Sequence, residues 1–264
     1  MNFTTKIYAD SISLGISVAQ DIYYRFSAKG SNTFLLGCPG GRSPKPIYDA
    51  LARIFANNQS DISRLHIVMM DDYLEPCGDG YDHVPANAHF SCRRFAREDI
   101  QSVLNAGVPA AHRIPDELIW FPDPADPAAY DDKISSAGGI DFFILASGAS
   151  DGHVAFNPPG SPVNSRSRIV DLADKTRRDN LSTFPDFPSI DAVPTKGVTV
   201  GIATIATQSR AGALVLWGQD KHGAFQRLRT GQGYEPDWPA TVFRLIPDAA
   251  LHCDQAAYGG CATA

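Results

Sequence analysis

A carboxylate and an imidazole two residues apart, Asp151 and His153, follow directly on an apolar run from Ile140 to Leu145. The run opens after the breaker Gly138-Gly139 and is rich in aromatic and branched side chains, which reads as a buried strand. Small residues from Ala146 to Ser150 follow and let another group approach the backbone closely. In open parallel α/β sheets, ligands sit beyond the carboxyl ends of the strands, so this pair stands where a proton can be passed. A histidine hydrogen-bonded at the head of a turn would look the same from this stretch alone. A second acidic strand end sharpens the reading. Leu65 to Met70 is apolar and ends in Asp71-Asp72-Tyr73. Adjacent carboxylates there are costly unless something pairs or uses them. One role is a base; the alternative is a solvated loop start.

Two further stretches suit an anion. A short strand, Thr33 to Gly37, opens into Cys38-Pro-Gly-Gly-Arg-Ser-Pro44 and then a helix through about Phe55, with Ile47, Leu51 and Ile54 on one side. Strand, glycine loop and helix is the geometry that binds phosphate. Gly40 and Gly41 bring backbone N–H groups close, Arg42 adds a bidentate charge, and Ser43 adds a hydroxyl that would also cap the helix. Pro44 suits the first helical position. An ordinary tight turn reads the same, and the spacing fits neither a dinucleotide fingerprint nor a Walker loop. Farther on, the strand Ala213 to Trp217 opens into Gly218-Gln-Asp-Lys221 and a helix through about Arg229. A lysine in a first helical turn opposes the helix dipole, which an anionic partner would rationalise. A plain surface lysine is the alternative.

The elements that must position these groups follow from periodicity. Residues 10–28 form an amphipathic helix with Asp10 as N-cap and Ile12, Ile16, Ala19, Tyr23 and Phe26 toward a core. Residues 74–90 are loop-like, with Asn87 and His89 as scaffolding, and 91–105 are helical with Arg93, Arg94 and Arg97 on a solvated face. Residues 108–128 are proline-rich, with Trp120-Phe121 as packing. A strand is expected over 165–172, a polar mobile stretch over 174–180, and a proline-bearing loop or lid over 183–196. Lys196 to Ile205 gives a strand and a turn, residues 239–246 a short helix, and Leu251 to Asp254 a last strand before a frayed tail from Gly259. Alternation of this kind implies an α/β fold: a single domain over 1–264, with an open, mostly parallel, Rossmann-like sheet and helices on both faces.

Bulk properties narrow the class. At 264 residues, 44% hydrophobic, the chain can bury a core without disulfide support. A net charge of −6 lacks the basic footprint of a nucleic-acid binder. Cys38, Cys77, Cys92, Cys253 and Cys261 show no CxxC pair and no zinc spacing, which suits free thiols in a reduced compartment. The N-terminus lacks a signal-peptide layout, and no apolar run approaches membrane-spanning length. The expectation is a cytoplasmic protein with no nucleic-acid or membrane partner and no metal.

Together the motifs resemble the glucosamine-6-phosphate deaminase/isomerase family, which shares a superfamily with the 6-phosphogluconolactonases. Leu36-Gly-Cys-Pro-Gly-Gly-Arg-Ser-Pro44 is similar to the family's phosphate loop. Met70-Asp-Asp-Tyr73 is similar to its Met-Asp-Glu-Tyr motif, and Asp151-Gly-His-Val-Ala-Phe-Asn157 to its Asp-Gly-His-Ile-Ala-Phe-Asn motif. Gly218-Gln-Asp-Lys221 matches the segment that supplies its phosphate-binding lysine. The resemblance implies a phosphosugar substrate, no cofactor, and room for a homo-oligomer. It makes Asp71 the base between C1 and C2 of an open-chain amino sugar phosphate, and His153, oriented by Asp151, the group that assists ring opening. Gly41, Ser43 and Lys221 would hold the phosphate, with Gly40, Arg42 and Asp72 beside them.

The chain also departs from the pattern. Pro158 stands where the deaminases carry a Glu that completes an Asp-His-Glu relay, Ser182 where an ungapped count puts a phosphate-binding arginine, and Asp72 where a Glu is usual. Arg42 is a candidate replacement for the arginine's charge. Three readings stay open: an isomerase or deaminase of a phosphorylated sugar, a lactone hydrolase in which His153 activates water, and a non-catalytic phosphosugar-binding protein. Pro159-Gly160 after the histidine, and Asn87, favour the second.

Overall fold

Short apolar runs separated by helix-length segments build the chain as alternating strands and helices, and a computed structural model describes residues 3–259. Strand β1 (Thr4–Tyr8) leads to α1 (Ser11–Ala28), β2 (Phe34–Cys38), α2 (Lys45–Asn57) and β3 (Leu65–Met69). Then come β4 (Asp71–Cys77), β5 (Gly80–His83), and α3 (Cys92–Phe95), which a π-helical segment, Ala96–Gln101, joins to α4 (Ser102–Asn105). β6 (Ile119–Trp120), α5 (Pro127–Ser136), β7 (Phe142–Ala146), β8 (Arg168–Asp171) and α6 (Asp174–Thr183) follow. The chain continues through β9 (Lys196–Thr199), α7 (Ile202–Gln208), β10 (Ala211–Leu216), α8 (His222–Leu228), β11 (Asp248–Asp254) and α9 (Gln255–Tyr258). Cys261 and the tail beyond Gly259 lie outside the described residues.

Seven strands form one parallel sheet in the order β1-β11-β10-β7-β2-β3-β6. Its central strands are buried on both faces, and alternate residues feed opposite cores. Phe34, Leu36 and Cys38 join α1 and α2, whereas Leu35, Phe143 and Leu145 join α7 and α8. The expected open, mostly parallel sheet with helices on both faces is what forms. The sequence reading lacked a second, antiparallel sheet in the order β5-β4-β9-β8. The two sheets meet at Met70, the single residue between β3 and β4, whose carbonyl accepts from Val200 N at 2.8 Å. Asp71 is thus the first residue of the small sheet, at the carboxyl end of a strand of the large one.

Several local expectations are corrected. On α1, Ile12 and Ile16 are 63% and 42% exposed, and the buried stripe is Leu14, Val18, Ile22 and Phe26 with Ala19. The helix carries two apolar stripes, and packing on α2 selects one. Its start is as expected: Asp10 Oδ1 accepts from Ser13 N at 2.7 Å, and Ser13 Oγ accepts from Asp10 N at 3.2 Å. Residues 74–83 form a hairpin, not a loop. Pro76 is tolerated because β9 pairs only as far as Leu74, so no partner on that side needs its missing N–H. Residues 174–180 belong to α6, which Arg177 staples to the Ile190 and Val193 carbonyls at 2.7 and 3.1 Å. Arg93 is partly exposed rather than fully solvated, and its Nε reaches Asp72 Oδ2 at 3.4 Å.

At the sheet centre, Gly37 lies opposite Phe143, and a Cβ there would sit 2.1 Å from the ring. Gly37→Ala is therefore expected to destabilise the protein by about 1–3 kcal/mol, read as a lowered midpoint of urea unfolding with unchanged slope.

Candidate active site

The glycine loop leaves β2 with Gly41 at φ +83°, a backbone conformation suited to glycine. Two donors fix its carbonyls. Tyr48 Oη donates to Pro39 O at 2.9 Å, and Trp217 Nε1 donates to Ser43 O at 2.9 Å. Ser43 does not cap α2, contrary to expectation. Pro44 takes the cap position without a side-chain bond, and Pro46 lies in the first turn. Lys221 ends a short 3-10 turn just before α8, rather than inside the helix. Its Nζ donates to Ser147 O at 2.8 Å. Burial lowers its pKa, with Asp220 and Asp179 opposing the shift.

Asp71 is 6% exposed. Burial, and then the neighbouring charge of Asp72, push its pKa up to about 7, against a lowering contact from the Cys92 thiol. A carboxyl poised there can both take and return a proton near neutral pH. Asp72 is 0% exposed and points into the protein. Its Oδ1 accepts from Tyr73 N and Cys92 N at 2.9 and 3.0 Å, and its Oδ2 meets His83 Nδ1 at 2.9 Å. It is tied into the fold, not into a substrate site as the sequence suggested. A carboxylate at the first turn of α3 and beside the hairpin satisfies those backbone donors better than it could a ligand.

His153 and Asp151 form the expected pair. His153 Nδ1 lies 2.7 Å from Asp151 Oδ1, which also accepts from His153 N at 3.2 Å. The turn is closed by Gly148 N donating to His153 O at 2.8 Å. Burial alone would raise the Asp151 carboxyl, but hydrogen bonding and charge from His153 hold it below its usual value. With Nδ1–H donated to Asp151, Nε2 is the nitrogen left for a ligand.

One cavity of about 430 Å³ is lined by Gly40, Gly41, Arg42, Ser43, Asp71, His153 and Lys221. That volume suits a small phosphorylated metabolite. Asp151 stands behind His153, outside the wall, and Asp72, Asn87, His89 and Pro158 do not line it. His89 instead packs edge-on against Phe90 and Phe187 at 4.9 and 4.6 Å, as scaffolding. The sequence reading missed Tyr73, Cys92, Trp217, Asn180 and Thr183 in the wall. Tyr73 had a signal, since residues two apart on a strand share a face. The lid-like contribution comes from α6 and Phe184, just ahead of and overlapping the expected 183–196 loop. Ser182 belongs to α6, but its side chain lies outside the described atoms.

A family profile described as glucosamine-6-phosphate isomerases/6-phosphogluconolactonase matches residues 10–250. The chain belongs to this family. Among its relatives, the glucosamine-6-phosphate deaminase of Beutenbergia cavernae is 36% identical over 84% of this chain and 80% of its own. The glucosamine-6-phosphate isomerase of Candida albicans is 33% identical over 86% of each chain. A solved monomeric glucosamine-6-phosphate deaminase superposes with a TM-score of 0.78 at 25% identity, over 97% of this chain and 99% of the other. The 6-phosphogluconolactonase of Trypanosoma cruzi, at 18% identity and a TM-score of 0.68, shares the fold. Among the described residues no helix is long and apolar enough to cross a membrane.

Proposed function

We propose that this member of the glucosamine-6-phosphate isomerase/6-phosphogluconolactonase family is an isomerase/deaminase of a phosphorylated (amino) sugar. It moves a proton between C1 and C2 through an enediol-type intermediate. The observation that carries this reading is the single cavity holding Asp71 and His153 together with Ser43 and Lys221. Its relatives' names support the same substrate class. The phosphate is held by the glycine-loop amides, Ser43, Arg42 and Lys221. His153, kept in one tautomer by Asp151 with Nε2 unprotonated, takes the proton from the O1 hydroxyl and returns it to the ring oxygen as the sugar opens. Asp71 then takes the C2 proton and returns it at C1. Pro158 cannot carry a proton, so the relay behind His153 ends at Asp151. We also infer a protein that folds as one domain and acts without a cofactor.

The test is a panel of hexose and hexosamine 6-phosphates with phosphogluconolactone, followed by NMR in D₂O. Deuterium entering at C2 supports the isomerase/deaminase reading. Acid release from the lactone without carbon exchange overturns it in favour of the hydrolase, the reading that Pro159-Gly160 favours. Binding without any turnover overturns it in favour of a binding protein.

Lys221→Met is expected to raise KM for the phosphosugar about 10- to 100-fold, because a half-buried charge-assisted contact to an anion is worth about 1.5–3 kcal/mol. Steady-state kinetics check this, with kcat changing less than KM.

A further inference from the structure

Cys92 touches both carboxylates at the start of β4. Its backbone N–H donates to Asp72 Oδ1 at 3.0 Å, and its thiol donates to Asp71 Oδ1 at 3.6 Å, within reach for sulfur. Among the described residues no other hydrogen bond reaches the Asp71 carboxylate. The residue is buried, yet it lines the same cavity as Asp71 and His153. Its place is fixed from the preceding residue: Ser91 caps α3, its side chain accepting from Arg93 N and Arg94 N.

We infer that Cys92 is the positioning residue for the base, its S–H occupying Asp71 Oδ1 so that Oδ2 is presented to the carbon-bound proton. The inference rests on Asp71 being the base of the proposed reaction. A thiol suits this task better than a hydroxyl. Sulfur is a weak donor. It can orient a carboxylate without stabilising the charged form enough to drain its basicity. Burial pushes the thiol itself well above its ordinary pKa, so it remains a donor and not a nucleophile. Asp71 keeps its raised value beside it.

Other groups act on Asp71 as well. Tyr73 faces the cavity from β4, and His153 from the turn after β7. Asp179 faces it from α6, Asp220 and Lys221 from the segment after β10, and Arg42 from the glycine loop. Asp72 adjoins it along the strand. Of these, Tyr73 and Asp72 also feel the Cys92 side chain, whereas among the described residues none of the others hydrogen-bonds to it.

The experiment is the pH profile of C2 proton exchange for the wild type, Cys92→Ser and Cys92→Ala, with Asp71→Asn as the reference. Serine, a stronger donor of similar size, is expected to move the acid limb down by about half a pH unit or more, and alanine, which donates nothing, to move it up by a similar amount. Alanine should also lower the plateau rate about 10-fold, because the carboxylate is no longer held in one orientation. Opposite displacements support the inference. Limbs that coincide overturn it, and so does an equal loss of rate in both variants with unmoved limbs, the result expected of packing alone. Should the alanine variant fail to fold, an unmoved limb in Cys92→Ser is sufficient to overturn it. Exchange persisting in Asp71→Asn would remove the base assignment itself, and this inference with it.

Discussion

Asp71→Asn is expected to lower C2 proton exchange about 10²- to 10⁴-fold while leaving phosphosugar affinity within a few-fold, because a positioned general base contributes roughly that much and the phosphate contacts lie elsewhere. NMR in D₂O and calorimetric titration measure the two quantities on one sample. Unchanged exchange would show that another group takes the proton. The raised pKa of about 7 adds a pH signature. The base works ionised, so the wild-type rate should climb through the region of pH 7 and level off above it. Stability should run the other way. A carboxyl whose folded-state value lies above the unfolded one holds its proton longer when folded, so its stabilising contribution is complete at low pH and is lost as pH rises through about 7. The amide pays no such penalty. Asp71→Asn should therefore gain stability over wild type by up to about 4 kcal/mol at pH 8, from a shift of roughly three units, and by much less at pH 4. Thermal unfolding at the two pH values checks the sign.

The second large effect is expected at Gly148. A Cβ on this residue would lie 2.3 Å from Asp151 Oδ1 and 2.4 Å from His153 Nδ1. Both atoms belong to the hydrogen bond that fixes the imidazole. The backbone at Gly148 is not left-handed, so alanine meets no conformational strain there and the whole effect falls on the pair. Gly148→Ala should cut kcat about 100-fold or more through a misplaced ring, with little change in phosphosugar affinity. Gly223→Ala on α8 is the matched control, because a Cβ there meets nothing within 4 Å and activity should be unchanged. Wild-type kcat in Gly148→Ala would mean that the Asp151–His153 contact is not needed for turnover.

What could be read from the residues alone was local. Asp151 and His153 share one turn, and the glycine loop is one βα connection, so their chemistry is written within a few positions of each other. Asp71 was legible as a carboxylate at a strand end, though not as a group buried enough to titrate near neutrality. The small sheet was invisible because β8 and β9 join β4 from far along the chain, through register pairs such as Asp71 with Thr199 and Arg168 with Thr199. No periodicity in 71–77 reports such partners, and Pro76 and Gly78 argued against a strand. Asp72 was misassigned for the same reason. Its partners, Cys92 N and His83, become neighbours only after the hairpin and α3 are in place. Ile12 and Ile16 show the limit of a helical pattern: an apolar stripe says that a face can be covered, and only the packing of α1 on α2 says which one is.

The residues proposed to act on the substrate are divided between the two sheets. Asp71 rides on the antiparallel one, whereas Ser43, His153 and Lys221 all hang from strand ends of the parallel one. On the proposed roles, the distance from the Asp71 carboxyl to the glycine loop and Lys221 depends on how the two sheets are joined at residue 70. The bond from Val200 N to Met70 O at 2.8 Å ties the two sheets together at that junction, and Met70 itself lines the cavity.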